Sequence, residues 1–173
     1  MIAMKEISFT DAVERATLQL QKGVLVTAGT QKPNTMTVGW GGINYWWGKP
    51  FFVAPVRPSR YTYGLMMEHE SFTVSVPFAG AMKEALAMCG TKSGRDTDKY
   101  AAAGLMLSPG KTVPTPVIQG CEIYFECVTR MKQAMEPGVL AADMAERFYG
   151  NGDWHTLFYG EILACYEASR HPA

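Results

Sequence analysis

Two guanidinium groups and several hydroxyls occur together in the segment 57–63, which reads Arg-Pro-Ser-Arg-Tyr-Thr-Tyr. Ser59 stands where the N-cap of a helix over 60–69 is expected, since serine is a preferred N-cap residue. The first turn of a helix leaves backbone N–H groups unpaired, and these groups, the helix dipole and arginine side chains stabilise an anion. The segment therefore predicts a phosphate site that includes Arg57 and Arg60. A solvated helix cap with surface arginines is the alternative interpretation.

A second segment, 34–40, reads Asn-Thr-Met-Thr-Val-Gly-Trp and runs from a polar turn into a strand that ends in an aromatic residue. Its amide and hydroxyl groups can bond the polar edge of a planar heterocycle while Trp40 covers a face or an edge of the ring. An ordinary turn followed by a core tryptophan is the alternative interpretation.

A third segment, 89–100, forms a loop with glycine and hydroxyl residues that leads into a helix and carries Lys92, Arg95 and Lys99. A basic loop of this kind can close over a phosphate group through its amides, hydroxyls and ammonium groups. Taken alone, the segment is also compatible with a plain surface loop.

Other nucleotide and metal sites are excluded by residue spacing. The glycines at 39–42 lack the GxGxxG spacing of a dinucleotide-binding turn. The run 104–112 resembles a phosphate-binding P-loop, but five residues separate its glycines instead of four, and Pro109 removes a needed amide donor. No pair of histidine and cysteine residues has zinc spacing, and we predict no metal site.

The chain of 173 residues is 47% apolar and 12% aromatic, whereas only 18% of its residues are charged. A chain near this length buries roughly 70% of its extended surface, so we expect a single domain over 1–173. The charged fraction lies below the average of about 25%, which predicts an apolar surface that is either poorly solvated or partly covered by a partner.

The charge balance and the cysteines limit the classes of partner and the compartment. The 16 basic and 16 acidic side chains cancel, which argues against nucleic-acid binding, because phosphate neutralisation needs a basic footprint. The net charge is +4 over 1–119 and −4 over 120–173, which favours an anion site in the first part. No apolar stretch is long enough for a membrane span or an export signal. The four cysteines are interpreted as free thiols of a cytoplasmic protein.

Glycine and proline clusters divide the chain into short elements. Runs of β-branched or aromatic residues predict strands, and helical spacing or helix-forming composition predicts helices. The predicted strands are 23–29, 35–40, 51–56, 72–76, 121–131 and 155–166, and the predicted helices are 9–21, 60–69, 81–88, 96–103 and 140–148. Because the strands do not alternate regularly with helices, the pattern favours an antiparallel barrel or an α+β fold over a doubly wound sheet.

Taken in order, these three segments and two others resemble the flavin reductase-like family of FMN-binding split barrels, which includes flavoredoxins. The pieces are an Asn turn with Met-Thr, an Arg-Tyr-Thr segment, a phenylalanine strand ending in Val-Pro, a Cys-Gly loop with Ser-Gly-x-Asp-x-Asp-Lys, and a final His-Thr-Leu-Phe-x-Gly-Glu strand. They lie at 34–37, 60–62, 72–77, 89–99 and 155–161. Five pieces in this order are far more specific than any one of them.

The resemblance implies a mainly β, α+β fold, namely a six-stranded antiparallel Greek-key split β-barrel with peripheral helices, and a homodimer with FMN near the subunit interface. The polar atoms of the flavin would then contact Asn34, Thr35, Met36 and Thr37, with Trp40 near the ring. The phosphate site would consist of Arg57, Ser59, Arg60, Tyr61 and Thr62, closed by Ser93, Gly94 and Lys99. Lys99 and His155 would be the catalytic residues beside the ring or the substrate.

The activity implied by the resemblance is that of an oxidoreductase passing electrons from NADH or NADPH through FMN to a flavin or another acceptor. One alternative is a non-enzymatic flavoredoxin-type protein that exchanges electrons with a redox protein. Aromatic bulk at Tyr45, Trp46 and Trp47, where a dimer contact is also expected, would favour it by blocking nicotinamide stacking. Another alternative is a split-barrel binder of a different anionic ligand such as haem, with His69 or His155 as axial ligand.

Overall fold

The computed structural model describes residues 4–168. Within this range the chain forms ten strands: β1 (Met4–Glu6), β2 (Val24–Ala28), β3 (Asn34–Val38), β4 (Gly42–Trp46), β5 (Lys49–Val56), β6 (Ser71–Val76), β7 (Leu107–Ser108), β8 (Val117–Ile118), β9 (Ile123–Ala134) and β10 (Thr156–Ala168). The helices of the same range are α1 (Phe9–Leu20), α2 (Tyr61–Glu68), α3 (Lys83–Thr91), α4 (Lys99–Ala103), α5 (Ala142–Tyr149) and a 3₁₀ turn, Pro137–Val139.

One antiparallel sheet contains eight of these strands. Its order is β3-β2-β6-β9-β10-β5-β4, and β1 pairs with the far end of β10. The six strands from β3 to β5 in that order are the ones expected from the sequence, so the mainly β split-barrel fold is confirmed. β4 and β1 extend the sheet beyond these six strands, and β7 and β8 form a separate two-stranded ribbon.

Alternating apolar residues of the sheet and one face of α1 build the main core. Phe72, Phe125 and Phe158 come from three adjacent strands and are fully buried. Ala12 and Ala16, one helical turn apart on α1, pack into the same cluster, as an amphipathic helix requires. Ser8 caps this helix by accepting a hydrogen bond from the Asp11 amide at 3.1 Å.

One buried carboxylate ties a loop to the sheet. Glu126 of β9 is fully buried and accepts hydrogen bonds from the backbone amides of Lys111, Thr112 and Val113 at 2.6 to 2.9 Å. The Tyr166 hydroxyl donates to the same carboxylate at 2.6 Å. Four donors therefore replace the water that a buried carboxylate loses on folding.

The helix-capping expectation at 59 is wrong. Helix α2 has Arg60 at its N-cap position, and no side chain caps it. The Ser59 hydroxyl instead donates to Oδ2 of Asp153 at 2.5 Å, across 94 residues of sequence. A long-range carboxylate competes with the local helix amides for the hydroxyl, which sequence spacing does not reveal. The helix predicted over 96–103 begins later, as α4, and Asp98 caps it by accepting from two amides of the first turn.

Proline has no amide to donate to a sheet, and Pro55 lies in β5 two residues beyond Val53, where the pairing with β4 stops. The four cysteines are free thiols, of which Cys165 is half-buried and the other three are buried. In the part of the chain from 4 to 168, no helix is both long and apolar enough to cross a membrane.

Candidate functional site

Two adjoining cavities lie beside β3, which is the last strand of the sheet and, among residues 4–168, pairs only with β2. The aromatic cavity, about 260 Å³, is lined by Met36, Thr37, Val38, Gly39, Trp40, Pro55, Arg57, Arg60, Gly90 and His155. The polar cavity, about 160 Å³, is lined by Asn34, Ser59, Arg60, Tyr61, Thr62, Thr91, Lys92, Ser93, Arg95 and Lys99. Because Arg60 lines both, the two cavities meet at its side chain, and together they reach the roughly 300–1,000 Å³ of small-molecule sites.

The polar cavity has the composition of an anion site. Four cationic side chains line it, from Arg60, Lys92, Arg95 and Lys99, and no carboxylate does. The first residues of α2, Tyr61 and Thr62, also line it and bring the amino end of a helix to the cavity. Cations, hydroxyls and a helix amino end all stabilise an anion, so the donors present suit a phosphate group.

Two of the cations are fixed by one carbonyl of α3. The Cys89 carbonyl accepts from Arg60 Nη2 at 3.3 Å and from Lys99 Nζ at 3.2 Å. Burial lowers the pKa of the Arg60 guanidinium, and Asp153 partly opposes this shift. Carbonyls near the carboxyl end of a helix favour cations, so α3 sets the two side chains where the cavities meet.

Lys99 is almost entirely buried, although it borders the polar cavity. Its ammonium group also donates to the Thr35 carbonyl of β3 at 3.0 Å. Burial is the main influence on the ammonium and lowers its pKa, and the neighbouring Arg60 adds to that effect. Lys99 thus joins β3 to α3 beneath the place where the cavities meet.

Asn34 and Gly94 form a close contact at the edge of the polar cavity. Asn34 Nδ2 donates to Thr62 Oγ1 at 2.8 Å, which ties the start of β3 to α2. A Cβ atom at Gly94 would overlap Asn34 Oδ1 and touch the Tyr61 ring. The 93–95 loop can therefore lie this close to Asn34 only because residue 94 is a glycine.

His155 lies at the wall of the aromatic cavity and is 92% buried, with 8% of its surface exposed. Its Nδ1 lies 2.7 Å from the Tyr149 hydroxyl, and its ring lies 5.4 Å from that of Trp40. Burial and the nearby Arg57 lower the pKa of His155 to about 4, against a smaller opposing effect of Asp153. The imidazole is therefore neutral at neutral pH and presents no charge to the cavity.

Arg57 holds the segment 148–155 against the cavity. Its guanidinium donates to the Asp153 carbonyl at 2.7 Å and to the Phe148 carbonyl at 2.9 Å. It also lies over the Tyr149 ring, 5.0 Å from the ring centroid. Two of its donor groups are therefore committed to backbone carbonyls, so Arg57 builds the wall of the aromatic cavity.

Twelve of the residues proposed from the sequence line the two cavities: Asn34, Met36, Thr37, Trp40, Arg57, Ser59, Arg60, Tyr61, Thr62, Ser93, Lys99 and His155. Two others do not line them. The Thr35 hydroxyl is buried against Thr27 at 2.8 Å and Tyr100 at 3.1 Å. Gly94 borders a neighbouring cavity of about 560 Å³.

Several residues of the site were not proposed as site residues from the sequence. Lys92 and Arg95 belong to the basic loop already singled out there, and their charge is the signal that identifies them. Tyr149 and Asp153 reach the site through contacts with His155 and Ser59, and no local pattern points to them. His69, considered as a haem ligand, lines neither cavity.

The combined site suits an elongated ligand with a planar ring at one end and an anion at the other. The aromatic cavity offers Trp40, Met36 and Val38 to a flat ring, with the Thr37 and His155 side chains for its polar atoms. Among the described residues 4–168, no group of three or more histidine, cysteine or acidic side chains is arranged to hold a metal ion.

A sequence model described as the flavin reductase like domain matches residues 20–173. An uncharacterised protein of Archaeoglobus fulgidus is 32% identical over 139 residues, which cover 80% of this chain and 68% of that protein. The structure of the flavoredoxin of Desulfovibrio vulgaris superimposes with a TM-score of 0.66 at 26% identity, over 86% of this chain and 69% of that one. An FMN-binding domain of a flavin reductases-like enzyme from Shewanella baltica shares the fold, with a TM-score of 0.69 at 18% identity over 96% and 78% of the two chains.

Proposed function

The chain belongs to the flavin reductase-like family, and from that premise we propose that it binds FMN across the two cavities and works as an oxidoreductase. The observation that carries the proposal is that an aromatic cavity and a cationic cavity adjoin, with Arg60 lining both. FMN, when bound, supplies the exchange of one or two electrons with a donor and an acceptor. The protein supplies binding, orientation and charge.

The polar cavity would hold the phosphate. Arg60 and Arg95 would form charge-assisted hydrogen bonds, and Ser93 and Thr91 offer hydroxyl donors at the same cavity. Lys92, which is exposed, adds charge at the rim. Arg95 is directed toward this site by its bond to the Ser59 carbonyl at 3.1 Å and by its position over the Tyr61 ring.

The aromatic cavity would hold the ring system. Trp40 is 44% exposed and meets Phe148 edge to face at 5.2 Å, so it forms a hydrophobic wall that a ring can cover. Met36 and Thr37 line the β3 side of the cavity, and the Thr37 hydroxyl is held by the Leu86 carbonyl at 2.6 Å. This wall would limit the access of water to the ring.

Lys99 and His155 would have different roles toward the ligand, because one side chain is charged and the other is neutral. Lys99 brings a buried ammonium group to the place where the cavities meet, and so favours a negative charge on the ligand there. His155, kept neutral by burial, would act as a hydrogen-bond partner and not as a cation. Neither residue is assigned a covalent role.

The visible spectrum of the purified protein tests this proposal. We expect a yellow protein that takes up FMN and loses its colour when NADH or NADPH is added without oxygen. A colourless protein that takes up no FMN would overturn the proposal. Arg130→Ala provides a control variant, which should take up FMN as the wild type does. Arg130 pairs with Glu161 and lines neither cavity.

A second function, electron transfer without nicotinamide, is favoured by one observation. The aromatic bulk expected at Tyr45, Trp46 and Trp47 lines neither cavity. Trp40, Phe148 and His155 instead form a set of contacting rings at the aromatic cavity, which would hinder the stacking of a nicotinamide there. Rapid-mixing measurements of flavin reduction, with each nicotinamide cofactor and with a reduced ferredoxin, distinguish the two. Reduction by the protein donor alone would identify the flavoredoxin-type function.

We also propose a homodimer in the cytoplasm. Tyr45, Trp46 and Trp47, at the edge strand β4 and the turn after it, are 68%, 42% and 61% exposed. Exposed aromatic clusters of this kind mark contact surfaces, and four free thiols suit a reducing compartment. Sedimentation of the wild type and of Trp47→Glu tests the dimer: we expect the variant to shift toward monomer, and a monomeric wild type would contradict it.

A further inference from the structure

The side chain of Asp153 occupies the donors that Ser59 would otherwise offer to a phosphate. Oδ2 of Asp153 accepts from the Ser59 hydroxyl at 2.5 Å, and Oδ1 accepts from the Ser59 amide at 3.4 Å. Ser59 lines the polar cavity, so an anionic group of the protein is already bound at its edge. The same carboxylate is near enough to Arg60 to oppose in part the lowering of the guanidinium pKa by burial.

The carboxylate is held there by the loop that carries it. The Asp153 carbonyl accepts from Arg57 Nη1 at 2.7 Å, and the Asp153 amide donates to Asn151 Oδ1 at 3.2 Å. These bonds hold the main chain at Asp153, and the two bonds to Ser59 hold its carboxylate. An incoming phosphate therefore meets a negative charge at the edge of the polar cavity.

We propose that Asp153 is a specificity-determining residue, which weakens the binding of the phosphate-bearing flavin at the polar cavity. A flavin phosphate carries between one and a half and two negative charges at neutral pH, in analogy to other phosphomonoesters, and like charges repel. The neutral ring and ribityl chain feel no such repulsion. The preference for FMN over riboflavin is consequently smaller than the four cations alone would give, and FMN exchanges more readily. The inference rests on the proposed function.

Binding titrations followed by flavin fluorescence test it. FMN and riboflavin are titrated separately into the wild type, into Asp153→Asn and into Asp143→Asn, a control at an exposed residue of α5 that changes the net charge equally. Asparagine removes the charge and keeps an acceptor oxygen for the Ser59 hydroxyl, and the bond lost is the longer one from the Ser59 amide at 3.4 Å. We expect Asp153→Asn to tighten FMN about tenfold, with riboflavin unchanged within about twofold. The control should alter neither affinity.

A second variant keeps the test decisive if Asp153→Asn does not fold. Ser59 is exposed, so Ser59→Ala should fold, and because the hydroxyl that it removes already donates to Asp153 we expect less than about a twofold loss of FMN affinity. A large and FMN-specific loss would show that Ser59 donates to the phosphate and would overturn the inference.

The outcomes separate the two proposals. Binding of FMN with an unchanged ratio of FMN to riboflavin affinity in Asp153→Asn overturns the role of Asp153 only. Weaker binding of both flavins in that variant assigns Asp153 to loop stability and also overturns it. Failure of both flavins to bind the wild type overturns the proposed function itself.

Discussion

The hydroxyl of Tyr149 lies 2.7 Å from Nδ1 of His155, and this contact joins the last residue of α5 to the residue before β10 at the wall of the aromatic cavity. The Tyr149 ring also stacks on Trp154, with the centroids 4.3 Å apart. His155 is therefore packed against the Tyr149 ring, which Trp154 covers, and this burial lowers the pKa of the imidazole.

The first prediction concerns stability at low pH. His155 has an ordinary pKa of 6.5 in the unfolded chain and a pKa of about 4 in the folded protein, because burial disfavours the imidazolium. Between these values the unfolded chain binds a proton that the folded protein does not, so the free energy of unfolding falls as the pH is lowered. Urea unfolding over that window should show a smaller decrease for His155→Gln than for the wild type.

His69→Gln provides the matched control, since His69 lies at the carboxyl end of α2 and outside both cavities. If the control variant lost the pH dependence and His155→Gln retained it, the assignment to His155 would be wrong.

The second prediction concerns Arg60, whose side chain lines both cavities. Arg60→Ala should weaken FMN far more than riboflavin, because loss of a charge-assisted hydrogen bond to phosphate costs about 1.5 to 3 kcal/mol. Calorimetric titration with the two flavins measures the difference. Equal weakening of both ligands would show that Arg60 acts on the fold, through its bond to the Cys89 carbonyl.

The third prediction concerns the close approach of the 93–95 loop to β3. Gly94→Ala would place a methyl group on Asn34 Oδ1, so the loop must move and the polar cavity must change shape. FMN affinity should fall about tenfold or more, with a modest loss of stability, as expected for steric overlap of this size. Gly64→Ala, on α2 with no atom within 4 Å of the new Cβ, should keep the affinity. It should also raise the free energy of unfolding by about 0.5 to 1 kcal/mol. A Gly94→Ala protein with normal FMN affinity would contradict the described loop position.

The fourth prediction concerns the buried carboxylate of Glu126. Glu126→Gln turns one acceptor oxygen into a donor that faces backbone amides of 111–113, and this should cost about 3 kcal/mol in urea unfolding. Tyr166→Phe removes only one of the four hydrogen bonds and should cost about 1.5 kcal/mol. The reverse order of the two costs would show that the tyrosine, and not the loop, is the main partner of the carboxylate.

Sequence patterns predict the central part of the fold well. β2, β5 and β6 follow from buried apolar runs ended by glycine or proline, since local composition and burial agree there. β4 was not predicted, because its residues are largely exposed and its extended form depends on pairing with β5. β1 is only three residues long and depends on β10 in the same way.

In the candidate site, too, the features set by local sequence could be predicted, and those that depend on distant segments could not. Arg60 and Lys99 were identified because charge and loop composition are local properties. The bond between Ser59 and Asp153 and that between Tyr149 and His155 depend on the folded path of the 135–155 connection. The hydrogen-bond partners of Ser59 and Arg57 lie in this distant segment, and the type of a side chain alone does not reveal such partners.

The connection between β9 and β10 is closed at its base by a hydrogen bond from the Met135 amide to the His155 carbonyl at 2.9 Å. Its two ends are thus adjacent, and between them the connection is tied to the rest of the protein by the bonds of Arg57 to the Phe148 and Asp153 carbonyls and of Ser59 to Asp153. A change of sequence in this connection therefore acts on the walls of the cavities, while the closing hydrogen bond keeps the ends of β9 and β10 together.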